Sequence, residues 1–169
     1  MKISIGTKIK DGPWGGGNLF AINLRNFLEK EGHEVVYDLV DEDIDIILIT
    51  EPRRTSESSA FTSTEVKNYL RYIKFDTLVV HRINECDERK NTNFVNKYLM
   101  YANKVADATV FVSTWLKDLY ISHGLPSKNL NVILLKTLVI LLEEKILYLR
   151  MILLEIVDTL IFQHFLFIH

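Results

Sequence analysis

Four of the chain's seven glycines fall within positions 12 to 17, in the stretch Gly12-Pro13-Trp14-Gly15-Gly16-Gly17-Asn18. Glycine loses more conformational freedom on folding than any other residue. A cluster therefore needs a backbone shape that other residues cannot take, or a partner that must come close to the backbone. Here it separates an apolar run, Ile3 to Ile9, from a helix-like run beginning at Leu19. That is the place of a strand-to-helix turn, where backbone N–H groups favour negative charge and missing side chains let a phosphate or sugar approach. The spacing is not Gly-x-Gly-x-x-Gly, so the dinucleotide fingerprint is lacking. A plain flexible turn is the alternative reading.

His81 is the second residue that could do chemistry. It follows the apolar run Leu78-Val79-Val80, as a capped structural histidine or as a group that contacts a ligand. Glu85, Asp87, Glu88, Arg89 and Lys90 read as a solvated charge run. Cys86 lies between two acids, which disfavour the thiolate, so it is not assigned as a nucleophile.

The elements that must position these residues alternate along the chain. Strands are expected at Lys2 to Ile9, in "EVVYDLV", in "DIDIILIT", in "DTLVVHRI", in "DATVFVST" and from "NLNVILL". Helices are expected over "NLFAINLRNFLEKEGH", over "STEVKNYLRYI" with Ser63 as N-cap, over "NFVNKYLMYANKVA" and over "WLKDLYISHG". Such alternation means an α/β fold built on a mainly parallel sheet with helices on both faces. Ligands of such sheets sit outside the carboxyl ends of the strands. The glycine loop, "TEPRRTSESSAFTS" and "HRINECDERKNTN" should therefore line one rim. The middle segment is long, polar and without periodicity, as functional or mobile loops are.

The chain of 169 residues suits one domain with an appendage. Its net charge of −2, with basic and acidic residues interspersed, leaves no electrostatic footprint for nucleic acid, so no nucleic-acid partner is expected. The amino-terminal apolar run is too short for a secretory signal and the single cysteine excludes a disulfide framework, which together point to the cytoplasm.

The order of "GPWGGGNLFAINLRNFLEKEGHEV", "LVVHRINECDERK" and "ADATVFVSTWLKDLYISHGLPSKNLNVI" resembles the amino-terminal half of GT-B glycosyltransferases of the group-1, or family 4, kind. The resemblance covers residues 1–133 and implies a Rossmann-like domain that receives a sugar or lipid acceptor. It further implies that a second domain holds a nucleotide-sugar donor and that transfer occurs between the two, commonly with retention of configuration and without a required metal or other cofactor. By position, Gly15, Gly16 and Gly17 are similar to the family's glycine-rich loop. His81 is similar to the histidine that contacts the transferred sugar, as a hydrogen-bonding and charge-stabilising group. Trp14 and Arg82 follow as further cleft residues.

Residues 134–169 do not continue the family pattern, which calls for a second Rossmann domain with basic phosphate-binding residues and a glutamate pair. This segment has no glycine, proline, asparagine, serine or alanine. At 100° per residue Lys136, Glu143, Glu144, Arg150, Glu155 and Asp158 share one stripe, with Lys145 the exception, so an apolar helical tail is expected. Charges interrupt every stretch long enough to span a bilayer. The tail reads as a helix packed on the domain, an oligomer contact, a membrane-surface helix or the end of a disrupted gene. The resulting expectation is an acceptor-binding half, inactive alone and completed by a separately encoded donor-binding domain. The competing one is a non-enzymatic flavodoxin-like interaction or regulatory domain.

Overall fold

The apolar runs form strands and the 3.6-periodic runs form helices, largely in alternation. The computed structural model describes residues 1–12, 14–126 and 130–132. In chain order the elements are β1 (Lys2–Ile5), α1 (Gly16–Lys30), β2 (Glu34–Val36), β3 (Ile46–Ile49), α2 (Ser63–Tyr72) and β4 (Leu78–Ile83). They continue with α3 (Asp87–Lys90), α4 (Val95–Ala102), a 3₁₀ turn (Asn103–Val105), β5 (Ala108–Phe111), α5 (Thr114–Ser122) and β6 (Leu130–Val132). The tail expected over 134–169 lies outside the described residues.

The six strands form one sheet in the order β2-β1-β3-β4-β5-β6. Every neighbouring pair is parallel, with Ile5 opposite Leu48, Ile49 opposite His81 and Ile83 opposite Phe111. Alternation along each strand divides the core between two faces. On one, Ile3, Ile5, Ile46, Leu48, Val80 and Val110 pack with Ala21 and Leu28 of α1. On the other, Ile47, Ile49 and Val79 pack with Val66 and Tyr69 of α2. Ile83 and Phe111 on that second face meet α4 through Val95 and Leu99, and α5 through Leu116 and Tyr120. Both faces are covered, which is why β3 reads as an unbroken apolar run. The fold is the Rossmann-like α/β class expected from the sequence.

Most elements are shorter than the sequence reading, with β2 ending at Val36, β3 spanning Ile46–Ile49 and α4 spanning Val95–Ala102, and three boundaries differ for a clear local reason. Strand β1 ends at Ile5 instead of Ile9, because Thr7 N donates back to Ile5 O at 2.8 Å and the chain turns. Helix α1 begins inside the glycine cluster, two residues before Asn18. Helix α2 is capped by Thr62, not Ser63. Thr62 Oγ1 accepts from Glu65 N at 3.3 Å, and Glu65 Oε2 accepts from Thr62 N at 2.7 Å. That reciprocal pair satisfies two backbone donors at once, and its hydrogen bonds hold the Glu65 carboxyl below the usual carboxylate range. Thr62→Ala is expected to cost about 1 kcal/mol, to be read as a lower urea midpoint at unchanged slope.

Candidate functional site

The carboxyl ends of the strands are built first by the glycine loop. Gly6 continues β1, with its N–H donating to Leu48 O at 2.8 Å. A side chain there would meet Leu48 O at 3.0 Å and the Phe61 ring at 3.2 Å, so only glycine fits. Asn18, buried at the start of α1, grips Lys10 from both sides: Oδ1 accepts from Lys10 N at 2.9 Å and Nδ2 donates to Lys10 O at 2.7 Å. Trp14 is exposed. Its Nε1 donates to Asp11 O at 2.7 Å, and Lys10 Nζ stands 4.4 Å from the Trp14 ring centroid. Gly15 takes φ 83°, a left-handed value, and caps α1 without any side-chain hydrogen bond. Around Gly15, Gly16 and Gly17 an added side chain would meet nothing within 4 Å. Their absence of side chains is thus not demanded by internal packing, and the first turn of α1 carries no acid to neutralise its positive end.

Polar side chains also stand at the carboxyl ends of β1, β3 and β4. Ile49 stands opposite His81, so Thr50 and Arg82 each lie one residue past a paired position of β3 and β4, and Thr7 lies two residues past the end of β1. Thr7 Oγ1 and Thr50 Oγ1 share a hydrogen bond of 2.6 Å, and both residues are buried. Arg82 is 5% exposed, and its guanidinium carbon lies 4.1 Å from the centroid of the Phe20 ring on α1. Burial pulls its pKa down to about 10, which leaves it charged at neutral pH.

His81 occupies the opposite face of the same strand, in line with Val79 and Ile83, and is wholly buried. Nδ1 donates to Asn103 Oδ1 at 2.8 Å, an oxygen that also accepts from Thr109 Oγ1 at 2.8 Å. Nε2 has no partner among the described residues. Burial pushes the imidazole pKa down to about 4, against the opposing effects of the Asn103 hydrogen bond and the Glu51 carboxylate. Of the two neighbouring residues, Arg82 is the one whose side chain shares a face with α1 and the glycine loop.

Further along the rim, Arg53 joins the loops after β3 and β4. Its Nε donates to Glu51 Oε1 at 2.7 Å, and Nη2 contacts both Glu51 and Glu85. Lys90 Nζ adds a 3.4 Å contact to Glu85. Tyr98 Oη donates to Pro52 O and Tyr120 Oη to Glu85 O, each at 3.0 Å, tying α4 and α5 to the same loops. Residues 58–60 fold back on the end of β1 through Lys8 N to Ser58 O, Ala60 N to Gly6 O and an antiparallel bridge between Thr7 and Ser59.

The supposed solvated charge run is in part structural. Asp87 accepts from Thr92 Oγ1 and from the backbone of Phe94, Val95 and Asn96, holding the start of α4. Burial raises its pKa, and these hydrogen bonds more than offset that, so it sits below the usual range. Cys86 is buried, and burial pushes its thiol up, in keeping with the absence of a nucleophilic assignment.

No family model matches this chain, and no curated protein matches it. Solved structures of an alpha-glucosyltransferase show a distant likeness. One, in complex with UDP and a 13-mer DNA containing a HMU base, is 20% identical, with 78% of this chain and 41% of that chain covered and a TM-score of 0.46. Another, with UDP-glucose and DNA containing an abasic site, is 18% identical, with 78% and 42% covered and a TM-score of 0.47. A third, with UDP, is 17% identical, with 78% and 43% covered and a TM-score of 0.46. This chain spans about two fifths of the length of those proteins. Two of the three hold DNA. No helix among the described residues is long and apolar enough to cross a membrane.

The His81 geometry gives a pH dependence. An ordinary histidine titrates near 6.5, and this one near 4 when folded, so between those values the unfolded chain binds more protons. Stability from this group is complete above pH 6.5 and lost as pH falls toward 4, by about 3 kcal/mol in all. Urea unfolding at stepped pH is expected to show that decline in the wild type and a flatter profile in His81→Gln.

Proposed function

We propose that this chain supplies the acceptor-binding half of a GT-B-type glycosyltransferase, passing a hexosyl group from a nucleotide-sugar to a sugar or lipid acceptor. The observation that carries the reading is the uncapped, glycine-rich start of α1 at the carboxyl end of β1, open to an approaching ligand. Order supports it as well: the glycine loop, the β4 segment and the β5-α5-β6 unit follow one another in the family's order along one parallel sheet.

In this reading Gly15, Gly16 and Gly17 admit the phosphate or sugar, Trp14 offers an exposed aromatic face and Arg82 faces the same helix. His81 acts from behind the rim. Its Nδ1–H is held by Asn103 and its ring feels the Glu51 carboxylate, so it serves as a positioning residue for the β4 end. Glycosyl transfer develops oxocarbenium-like charge and a departing diphosphate, for which oriented dipoles matter more than a strong nucleophile. The donor is assigned to a second Rossmann-like domain. The tail contacts proposed for 134–169, with a membrane surface or another copy, are carried by sequence pattern alone.

A second reading has its own observation. The order β2-β1-β3-β4-β5 within the sheet is that of flavodoxin-like domains, several of which bind partners at the same rim without catalysis. The phosphoacceptor version of that reading meets an obstacle. Asp41 and Asp43 pair with Lys2, at the amino end of β1.

Orientation of both reactants in a closed cleft contributes up to roughly 7 to 11 kcal/mol of barrier lowering. The isolated chain is therefore expected to transfer no sugar when offered radiolabelled nucleotide-sugars with saccharide and lipid acceptors. Transfer that appears only on adding a separately expressed donor-binding domain supports the enzyme reading; silence in both arms, with retained binding of a protein partner, supports the regulatory one. Gly16→Val is expected to weaken acceptor binding while leaving the urea midpoint nearly unchanged, since nothing lies within 4 Å of the added side chain. A collapse of stability in that variant would show that the loop serves packing instead.

A further inference from the structure

The geometry points to an oxyanion subsite formed by Arg82, Thr7 and Thr50 at the carboxyl ends of β4, β1 and β3, holding a phosphate or carboxylate group of the small molecule that this half receives. The inference deepens the acceptor-side reading and rests on it for the identity of that molecule. Anion binding itself is measured without sugar transfer, so the two can fail separately.

The first observation is the unanswered charge. Arg82 is 5% exposed, yet no hydrogen bond or ion pair joins its side chain to any described residue; the guanidinium stands against the Phe20 ring. A cation over an aromatic face gains some attraction, but five N–H donors remain in a planar fork whose shape matches carboxylate and phosphate. Among the described residues, the wholly sealed polar side-chain atoms without a partner are Tyr37 Oη and His81 Nε2. The Arg82 nitrogens are not among them, so the fork keeps a small solvent exposure.

A second observation is the hydroxyl pair. In the 2.6 Å bond between Thr7 and Thr50 one hydroxyl donates to the other, and the proton of the accepting hydroxyl is not used by that bond. The hydroxyl pair therefore sits at the carboxyl ends of β1 and β3, and β3 is the direct neighbour of β4, which carries Arg82. The third is α1, a 15-residue helix whose amino end has neither a side-chain cap nor an acid in its first turn. Its partial positive charge adds to that of Arg82 on the same face. Glu51 and Glu85, the acids of the rim, are engaged by Arg53, so they do not neutralise Arg82.

The test is calorimetric and thermal titration of the full chain with inorganic phosphate, glucose 6-phosphate, glucuronate and glucose at fixed ionic strength. Phosphate and at least one anionic sugar are expected to bind the wild type and raise its unfolding temperature, with neutral glucose binding at least tenfold more weakly. Tighter binding of glucose 6-phosphate assigns a phosphate group, and tighter binding of glucuronate a carboxylate. In Arg82→Met the unliganded protein is expected to unfold at a higher temperature than the wild type, because a buried charge without an acceptor has been removed, and the phosphate shift to vanish. Thr50→Val, which keeps the shape and loses a hydroxyl, is expected to weaken phosphate binding by about ten- to a hundredfold. Equal phosphate shifts in the wild type and both variants, or glucose binding as tightly as its anionic relatives, would overturn the proposal.

Discussion

Strand β1 is hydrogen-bonded on both edges, to β2 on one side and β3 on the other, and the rest of the arrangement depends on that double pairing. A strand so enclosed cannot hand the chain to a neighbour by a tight turn. Both neighbours run parallel to it, and each must be reached by a crossover. The chain leaves upward into α1, returns as β2, then passes to the far edge of β1 to become β3. Right-handed crossovers place α1 on one face, and the later ones, travelling the other way, place α2, α4 and α5 on the opposite face. Where the direction reverses, between β1 and β3, the connections diverge and leave a crevice. The glycine loop, Thr7 and Thr50 stand at that point because the topology leaves them nowhere else.

The rim around the crevice is held by bonds that reach across the chain. Arg53 clasps acids from two loops, and the Glu51 hydrogen bond raises its already high pKa, so its guanidinium stays charged throughout the ordinary pH range. Tyr98 and Tyr120 bring helix surfaces into the same assembly. Charge-assisted bonds of this kind are shorter and stronger than neutral ones. Partly buried pairs also carry a desolvation cost, so their effect is better described as fixing loop positions than as adding net stability. A ligand then meets a surface whose shape is already set, which lowers the ordering entropy lost on binding.

Legibility of the fold from sequence followed the range of the interactions involved. The apolar runs and helical stripes carry their periodicity locally, so the six strands, the parallel class and the two-sided cover could be read directly. Ends were less readable. The capping box at Thr62 competes with an equally suitable Ser63, and only the loop that delivers the chain from Phe61 decides between them. Asp87 looked like one acid among several, whereas its bonds to Thr92, Phe94, Val95 and Asn96 span five to nine residues of intervening turn. At the candidate site the glycine cluster was conspicuous, but Asn18 was not, since a helix start containing Asn is unremarkable until Lys10 is seen beside it. The pairing of Arg53 with Glu85 crosses 32 residues and leaves no periodic trace.

His81 and Arg82 show why position along a strand does not by itself predict a role. They are adjacent, similarly buried and both basic, yet alternation sends them to opposite faces. The imidazole answers burial by giving up its proton: its pKa falls to about 4, one nitrogen is satisfied by Asn103, and the remaining cost is a single unpaired acceptor. A guanidinium has no such exit. Even pulled down to about 10 it stays charged at neutral pH, and burial without an acceptor raises the free energy of the folded state. Two residues of one strand thus take the same desolvation in different forms, one as a neutral buried group and the other as a retained charge. A fold optimised only for stability would place an apolar residue at position 82, as it does at Val80 two residues before. The retained charge lies on the face that carries the glycine loop, and that coincidence makes the α1 side of β4 the side where function is to be sought.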